Sequence, residues 1–339
     1  MKKIILVFVV FYTYAYSNEL PDLGSTSDTI INKLQEKKIR HEILSQVYQS
    51  PSVIKDIEII DYINQLGAKL LRETPELNVA DVTFFTLQDP TINAFAMLGG
   101  LIGIHSGLIY SANSESELAS VIAHEIAHIS QKHLPRIIEA QSRDTFKTSL
   151  AMVFALLVAR SNPQLANAAM QTAMASSVQG TLDFTREHEK EADREGLSIM
   201  NRAGFDERGA ISFFKTLEKA NQFSAGAAPS FLRTHPITLD RISDIENRIS
   251  EFPYRQVSDD PNFNLIKAKL KTSIGLASQN VKIFENNIKN KAFENETAEY
   301  FALSYSYLKN NQTTKSREYF NKLTYLKESD PVITELEAK

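Results

Sequence analysis

Within VIAHEIAHIS, Val121 to Ser130, two histidines stand four residues apart and a glutamate follows the first. No other stretch constrains the chain so tightly. Positions i and i+4 of an α-helix lie one above the other, so His124 and His128 can aim ring nitrogens at a single point. Glu125 lies about 100° round the helix from His124, beside that point rather than on it. Two imidazoles and a neighbouring carboxylate at this spacing suit a metal ion and a general base. Ala123 and Ala127 flank the histidines with small side chains, so another helix can approach closely. The helix should begin near Ser114, where Ser114 and Glu117 fit the capping box S-x-x-E. It should run to about His133, ahead of Pro135.

A catalytic zinc takes three protein ligands and keeps one position open. The remaining histidines are His41, His105, His133, His188 and His235. In a continuous helix His133 falls about half a turn off the ligand face, which makes it a surface residue or a neighbour of the site. The metzincin pattern fails as well, since Gln131 and Leu134 stand where it needs glycine and histidine. The acidic stretch FTREHEKEADREG, Phe184 to Gly196, offers Glu187, Glu189, Glu191, Asp193 and Glu195. Glu189 and Asp193 share one rung, with Ala192 and Gly196 beside them; Glu187, Glu191 and Glu195 form another about 160° away. The small residues favour the Glu189 rung as the one facing the metal, without excluding the other.

The chain opens MKKIILVFVVFYTYAYS, with Lys2 and Lys3, an apolar run from Ile4 to Phe11, and Ala15-Tyr16-Ser17. That is the pattern of a cleavable signal peptide, with a mature chain from near Asn18. The run falls well short of the roughly 20 residues that span a bilayer. The sequence has no cysteine. An exported, disulfide-free protein is therefore expected, most simply in a bacterial periplasm, with membrane association as the alternative. A net charge of -4 leaves no electrostatic footprint for nucleic acid.

Ser27 to Glu76 reads as mostly helical, with Ile54, Ile57, Tyr62, Ile63, Leu66, Leu70 and Leu71 near a 3.6-residue period and Pro51 opening the second helix. Val82 to Leu87 reads as a strand. Asn93 to Tyr110, NAFAMLGGLIGIHSGLIY, reads as paired strands broken at Gly99-Gly100 and closed by Gly107. Leu150 to Ala159 suggests a buried core helix, the alternative being a flap near substrate or membrane. Asp183 to Ala203 reads as a charged helix ended by Gly204. After Pro253 the composition turns to Lys, Asn, Glu and Tyr. Glu296 to Pro331 suggests two helices with a polar turn and a closing proline. Tyr300, Leu303, Tyr307, Phe320 and Leu323 are placed as in a tetratricopeptide unit, with Asn264 to Asn290 as a degenerate earlier one. The expected division is a signal peptide over 1–17, a metal-bearing domain over 18–252 and a helical tail over 253–339.

HEIAHISQKH followed by E-x-E-A-D-R-x-G, together with NAFAMLGG and RTHP, resembles the gluzincin peptidases of the HtpX and CAAX-prenyl-protease clan. Within it the likeness is to the periplasmic β-barrel assembly-enhancing proteases. It covers about Leu20 to Ile249 and continues more weakly into the tail. The resemblance implies an α+β, mainly helical, zincin-like metallopeptidase domain with a small active-site sheet, followed by a helical repeat-like tail. It implies one zinc per chain, held by His124, His128 and Glu189, with Glu125 as the base. It gives Asp193 a catalytic part as proton donor; one turn from a ligand glutamate, such an aspartate can also orient a zinc-bound histidine. Thr234-His235-Pro236 matches a loop whose histidine can take the fourth zinc position and plug the site, and Arg241 is spaced to face the same cleft. The expected function is an endopeptidase acting on extended or misfolded chains, which would pair with the Asn93 to Leu101 edge. Outer-membrane β-barrel proteins and their assembly machinery are the implied clients. The competing expectation is a chaperone or assembly factor that binds clients through the tail, and a metal-dependent hydrolase of another substrate class is the third. The tail, with two repeats, is short for the family.

Overall fold

The computed structural model describes residues 33–140, 186–223, 229–326 and 331–338. The expected signal peptide and the apolar run at 150–159 lie outside them. Helix α1 (Lys33–Gln49) leads to α2 (Ile57–Leu71), which buries Ile59, Tyr62, Ile63, Leu66 and Leu70 along one stripe. Asp56, not Pro51, opens α2, its carboxylate accepting the Ile59 amide at 3.3 Å. Pro51 lies instead in the turn closed by Val53 N–H donating to Ser50 C=O at 3.2 Å. Val53 must leave helical geometry there because it bridges to Leu87.

Three strands follow: β1 (Thr83–Leu87), β2 (Ala94–Met97) and β3 (Leu101–His105), in the order β1-β3-β2. Strand β3 is central, parallel to β1 and antiparallel to β2, with Ala96 opposite Ile102. The turn between β2 and β3 needs Gly99 and Gly100, both at positive φ (82° and 71°). The strand expected to close at Gly107 stops at His105, and Ser106–Ser111 is helix α3. Partner β1 ends opposite His105, and the chain turns under the Asp89 loop, where Gly107 N–H donates to Asp89 C=O at 2.8 Å. Only glycine fits at 107, because a Cβ would stand 2.3 Å from the Pro90 and Thr91 carbonyl oxygens.

Helix α4 (Glu115–Ser130) runs through the centre, buried from Glu115 to His128. Ser114 caps it as expected, accepting the Glu117 amide at 3.2 Å, while Glu117 reaches back to the Asn113 amide rather than to that of Ser114. The helix ends three residues early: Lys132 takes a φ of 53° and a new helix, α5 (His133–Ala140), begins. Pro135 sits in the first turn of α5, where its missing N–H costs nothing. Against α4 pack α6 (Arg186–Ala203) and α7 (Arg208–Phe223), followed by the short α8 (Ser230–Thr234) and α9 (Leu239–Glu251).

The C-terminal helices are α10 (Pro261–Thr272), α11 (Ala277–Asn290), α12 (Glu296–Lys309), α13 (Thr313–Leu326) and α14 (Pro331–Ala338). Pro331 opens α14 instead of closing the preceding pair, as a first-turn proline can. Phe263, Leu265, Ile266 and Leu270 of α10 belong to the same core as Ile59, Ile102 and Ile122. The 1%-exposed Lys269 holds Asp56 and Glu58 at the start of α2. Asp259 accepts the Glu115 amide at 2.8 Å, joining the approach to α10 to the first turn of α4. The boundary expected at 252/253 thus falls in a connector between two parts that share one interior.

Candidate metal centre

Helix α4 supplies His124 and His128, and α6 supplies Glu189. Close approach of the two helices depends on Gly196: a Cβ there would lie 3.2 Å from His124 N and 3.3 Å from its Cα. The rung of Glu189 and Asp193 is buried on this face, whereas Glu187, on the other rung, is exposed. His235 caps the C-terminus of α8, its amide donating to Phe231 C=O at 2.8 Å. Phe231 stacks on the His235 ring with centroids 4.6 Å apart, and its amide donates to Ile92 C=O at 3.2 Å, tying α8 to the chain entering β2.

One donor atom each from His124, His128, Glu189 and His235 falls within 4.8 Å of the others, and all four residues are buried. His124 Nε2 is 3.0 Å from His128 Nε2 and 3.3 Å from His235 Nδ1. Glu189 Oε1 is 3.0 Å from His235 Nδ1 and 3.5 Å from His128 Nε2. On its other side His124 Nδ1 meets Asp193 Oδ1 at 3.1 Å. A carboxylate acceptor there puts the proton on Nδ1 and leaves the Nε2 lone pair facing the cluster. Converging lone pairs and a buried carboxylate need a cation among them, so the donor set fits a metal ion. In the metal-free cluster a proton stands in for that cation. Burial pushes His124 down, but its bonds to Asp193 and Glu189 outweigh this and hold it up to about 10. Burial raises Glu189, yet the charge on His235 and the hydrogen bonds of the three histidines hold it well below the usual carboxylate range.

Glu125 is 0% exposed, and neither of its carboxylate oxygens has a hydrogen-bond partner. His235 Nε2 stands 3.4 Å from its Oε1. Burial raises its pKa, against the opposing charges of His235 and His124, which favours a group able to take up a proton.

Arg241 lies in the first turn of α9, where Thr238 caps the helix by accepting the Arg241 amide at 3.2 Å. Its guanidinium donates to both oxygens of Asp193 at 2.7 Å, to Glu189 Oε2 at 2.8 Å and to Pro236 C=O at 2.8 Å. Burial pulls Asp193 upward, but the Arg241 and His124 hydrogen bonds hold it below its ordinary value. Arg241→Leu would strand two buried carboxylates, and breaking a buried pair costs about 3–5 kcal/mol. A lowered denaturant midpoint of the metal-free protein checks this; an unchanged midpoint would refute it.

Of the other histidines, His41 is exposed on α1 and His105 meets Thr91 Oγ1 at 2.8 Å. Of the two places expected for His133, the surface or the neighbourhood of the site, the structure gives the second: it is 0% exposed, with Nδ1 2.8 Å from His128 Nδ1. The break at Lys132 swings it back against His128. Pro135 was the available signal, since proline opens helices as readily as it ends them. Phe231 carried no comparable signal.

Peptidase family M48 matches residues 62–249. The beta-barrel assembly-enhancing protease of Escherichia coli (strain K12) is 34% identical over 253 residues, 75% of this chain and 52% of that protein. Its counterpart in Yersinia pestis is 32% identical over 251 residues, 74% of this chain and 51% of that one. The mitochondrial metalloendopeptidase OMA1 of Schizosaccharomyces pombe is 29% identical over 176 residues, 51% of this chain and 48% of that one. The chain spans about half the length of the beta-barrel assembly-enhancing proteases it matches.

Proposed function

Because the chain belongs to peptidase family M48, we propose that it is a zinc-dependent endopeptidase cutting extended or misfolded protein chains in outer-membrane protein quality control. The observation that carries this reading is the convergence of His124, His128 and Glu189 beside a buried Glu125 that makes no hydrogen bond. Metallopeptidases of this family use zinc. Zinc, when bound, acts as a Lewis acid that brings a water to a pKa of about 7 and polarises the scissile carbonyl. Glu125 takes a proton from the attacking water and passes it to the leaving amine. Asp193 orients His124 through Nδ1; its oxygens already accept from His124 and Arg241, which leaves it no proton to donate. Arg241 fixes Asp193 and the Pro236 carbonyl together, so it positions both.

His235 supplies a fourth donor where a working site keeps an opening. The arrangement is therefore a resting one, released when the α8 segment moves. Strand β2 has a single neighbour among the described strands and packs beside α4. A substrate strand added to its outer edge would lie next to Glu125 and be bound through its backbone, with little sequence preference. The named role of the bacterial relatives supports β-barrel proteins as clients, and the expected signal peptide supports a periplasmic location. Among the described residues no helix is long and apolar enough to cross a membrane.

The zinc-loaded chain should degrade a permanently unfolded protein, lose that activity on chelation, and work several-fold faster as His235→Ala. Bound zinc without cleavage in either form would overturn the peptidase reading.

A further inference from the structure

His133 has no part in the chemistry above, yet it is buried completely and touches a ligand. We propose that His133 is a positioning residue for His128, accepting its Nδ1 proton so that the Nε2 lone pair is presented to the ion. The proposal rests on the zinc-site reading.

Two imidazole nitrogens 2.8 Å apart share one proton, and the partners of each ring decide which one owns it. His133 Nε2 is 3.1 Å from Glu191 Oε2. That carboxylate already accepts Arg136 Nη1 at 2.8 Å. Ionised, it only accepts, so His133 carries its proton on Nε2 and offers a lone pair at Nδ1. His128 must then be the donor at Nδ1, which leaves Nε2 bare toward Glu189 and His124. Metal-bound histidines almost always donate their second nitrogen to a carboxylate, carbonyl or water. His124 follows that rule with Asp193, and His128 uses another histidine.

The link also has a structural logic. His133 and Arg136 come from α5, and Glu191 lies two residues past the ligand Glu189 on α6. The chain His128–His133–Glu191–Arg136 therefore joins the two helices that hold the ligands. His188, also from α6, stacks on the His133 ring at 4.6 Å and 23°. These contacts leave the ring little freedom to turn its Nδ1 away from His128.

The test is zinc affinity of the full chain, measured by competition with a chromophoric chelator, alongside the visible spectrum of the cobalt-substituted form. His133→Phe keeps the ring volume and removes the acceptor, and it should bind zinc about 10–100-fold more weakly. His133→Asn, whose amide oxygen can accept the Nδ1 proton, should recover most of the loss and restore the cobalt spectrum. Glu191→Gln, with a half-exposed side chain, should weaken zinc binding by a smaller factor. Equal affinity of wild type and His133→Phe would overturn the proposal, and so would a failure of asparagine to outperform phenylalanine. Should His133→Phe not fold, Glu191→Gln decides, and unchanged affinity there counts against the link. A wild-type chain that binds no zinc would instead remove the metal site itself.

Discussion

Glu125→Gln is expected to abolish peptide cleavage and keep the metal. A general base contributes about 10²–10⁴-fold to rate, and the amide cannot serve as one. The exchange is nearly isosteric, and His235 Nε2, 3.4 Å from Oε1, keeps an amide oxygen to face. Burial works against the charged carboxylate, so the neutral amide should leave the thermal midpoint of the metal-free protein unchanged or higher. Turnover, bound zinc and unfolding midpoint, measured on one preparation, separate the cases. Retained turnover would remove Glu125 as the base. Lost turnover together with lost zinc would mean that the residue holds the site together.

A chain cut after Phe252 should lose its cooperative unfolding transition and its zinc. The cut removes Phe263, Leu265, Ile266 and Leu270, all buried in the core that α2, α4 and β3 share. Full burial of such side chains contributes about 1.5–3 kcal/mol each, or roughly 6–12 kcal/mol for the four. A whole domain is stable by only about 5–15 kcal/mol. The cut also strips Lys269 from Asp56 and Glu58, and Asp259 from the first turn of α4. Calorimetry of the shortened chain decides the matter: a cooperative transition with wild-type zinc affinity would show that the two parts are separable. Client binding by the tail is accordingly better probed by substitutions on exposed faces of the outer helices than by deletion.

The parts of the site that lie on single helices were legible in advance. His124 and His128 follow from a four-residue spacing, and the Glu189 rung was favoured by Gly196 and Ala192, the small residues that let α6 approach. What could not be read came from chain reversals. A lysine with left-handed backbone at 132 has no sequence signature, so α4 was carried past its end and His133 was left between the surface and the neighbourhood of the site. Pro51, Pro135 and Pro331 each sit near a helix boundary, but proline alone does not say which side of the boundary is helical. Gly107 marked a turn, yet its reason, the Pro90 and Thr91 carbonyls, belongs to another part of the chain. The bidentate grip of Arg241 on Asp193 is likewise a meeting of distant segments, and spacing could say only that both face one cleft.

Because α10 is sunk into the common interior, the outer helices cannot swing on a tether. A client gripped there would be held at a set distance and angle from Glu125. An extended chain covers about 3.3–3.6 Å per residue. The span from grip to cleft would then act as a ruler, choosing the bond to be cut by how far it lies along the client rather than by which residues flank it.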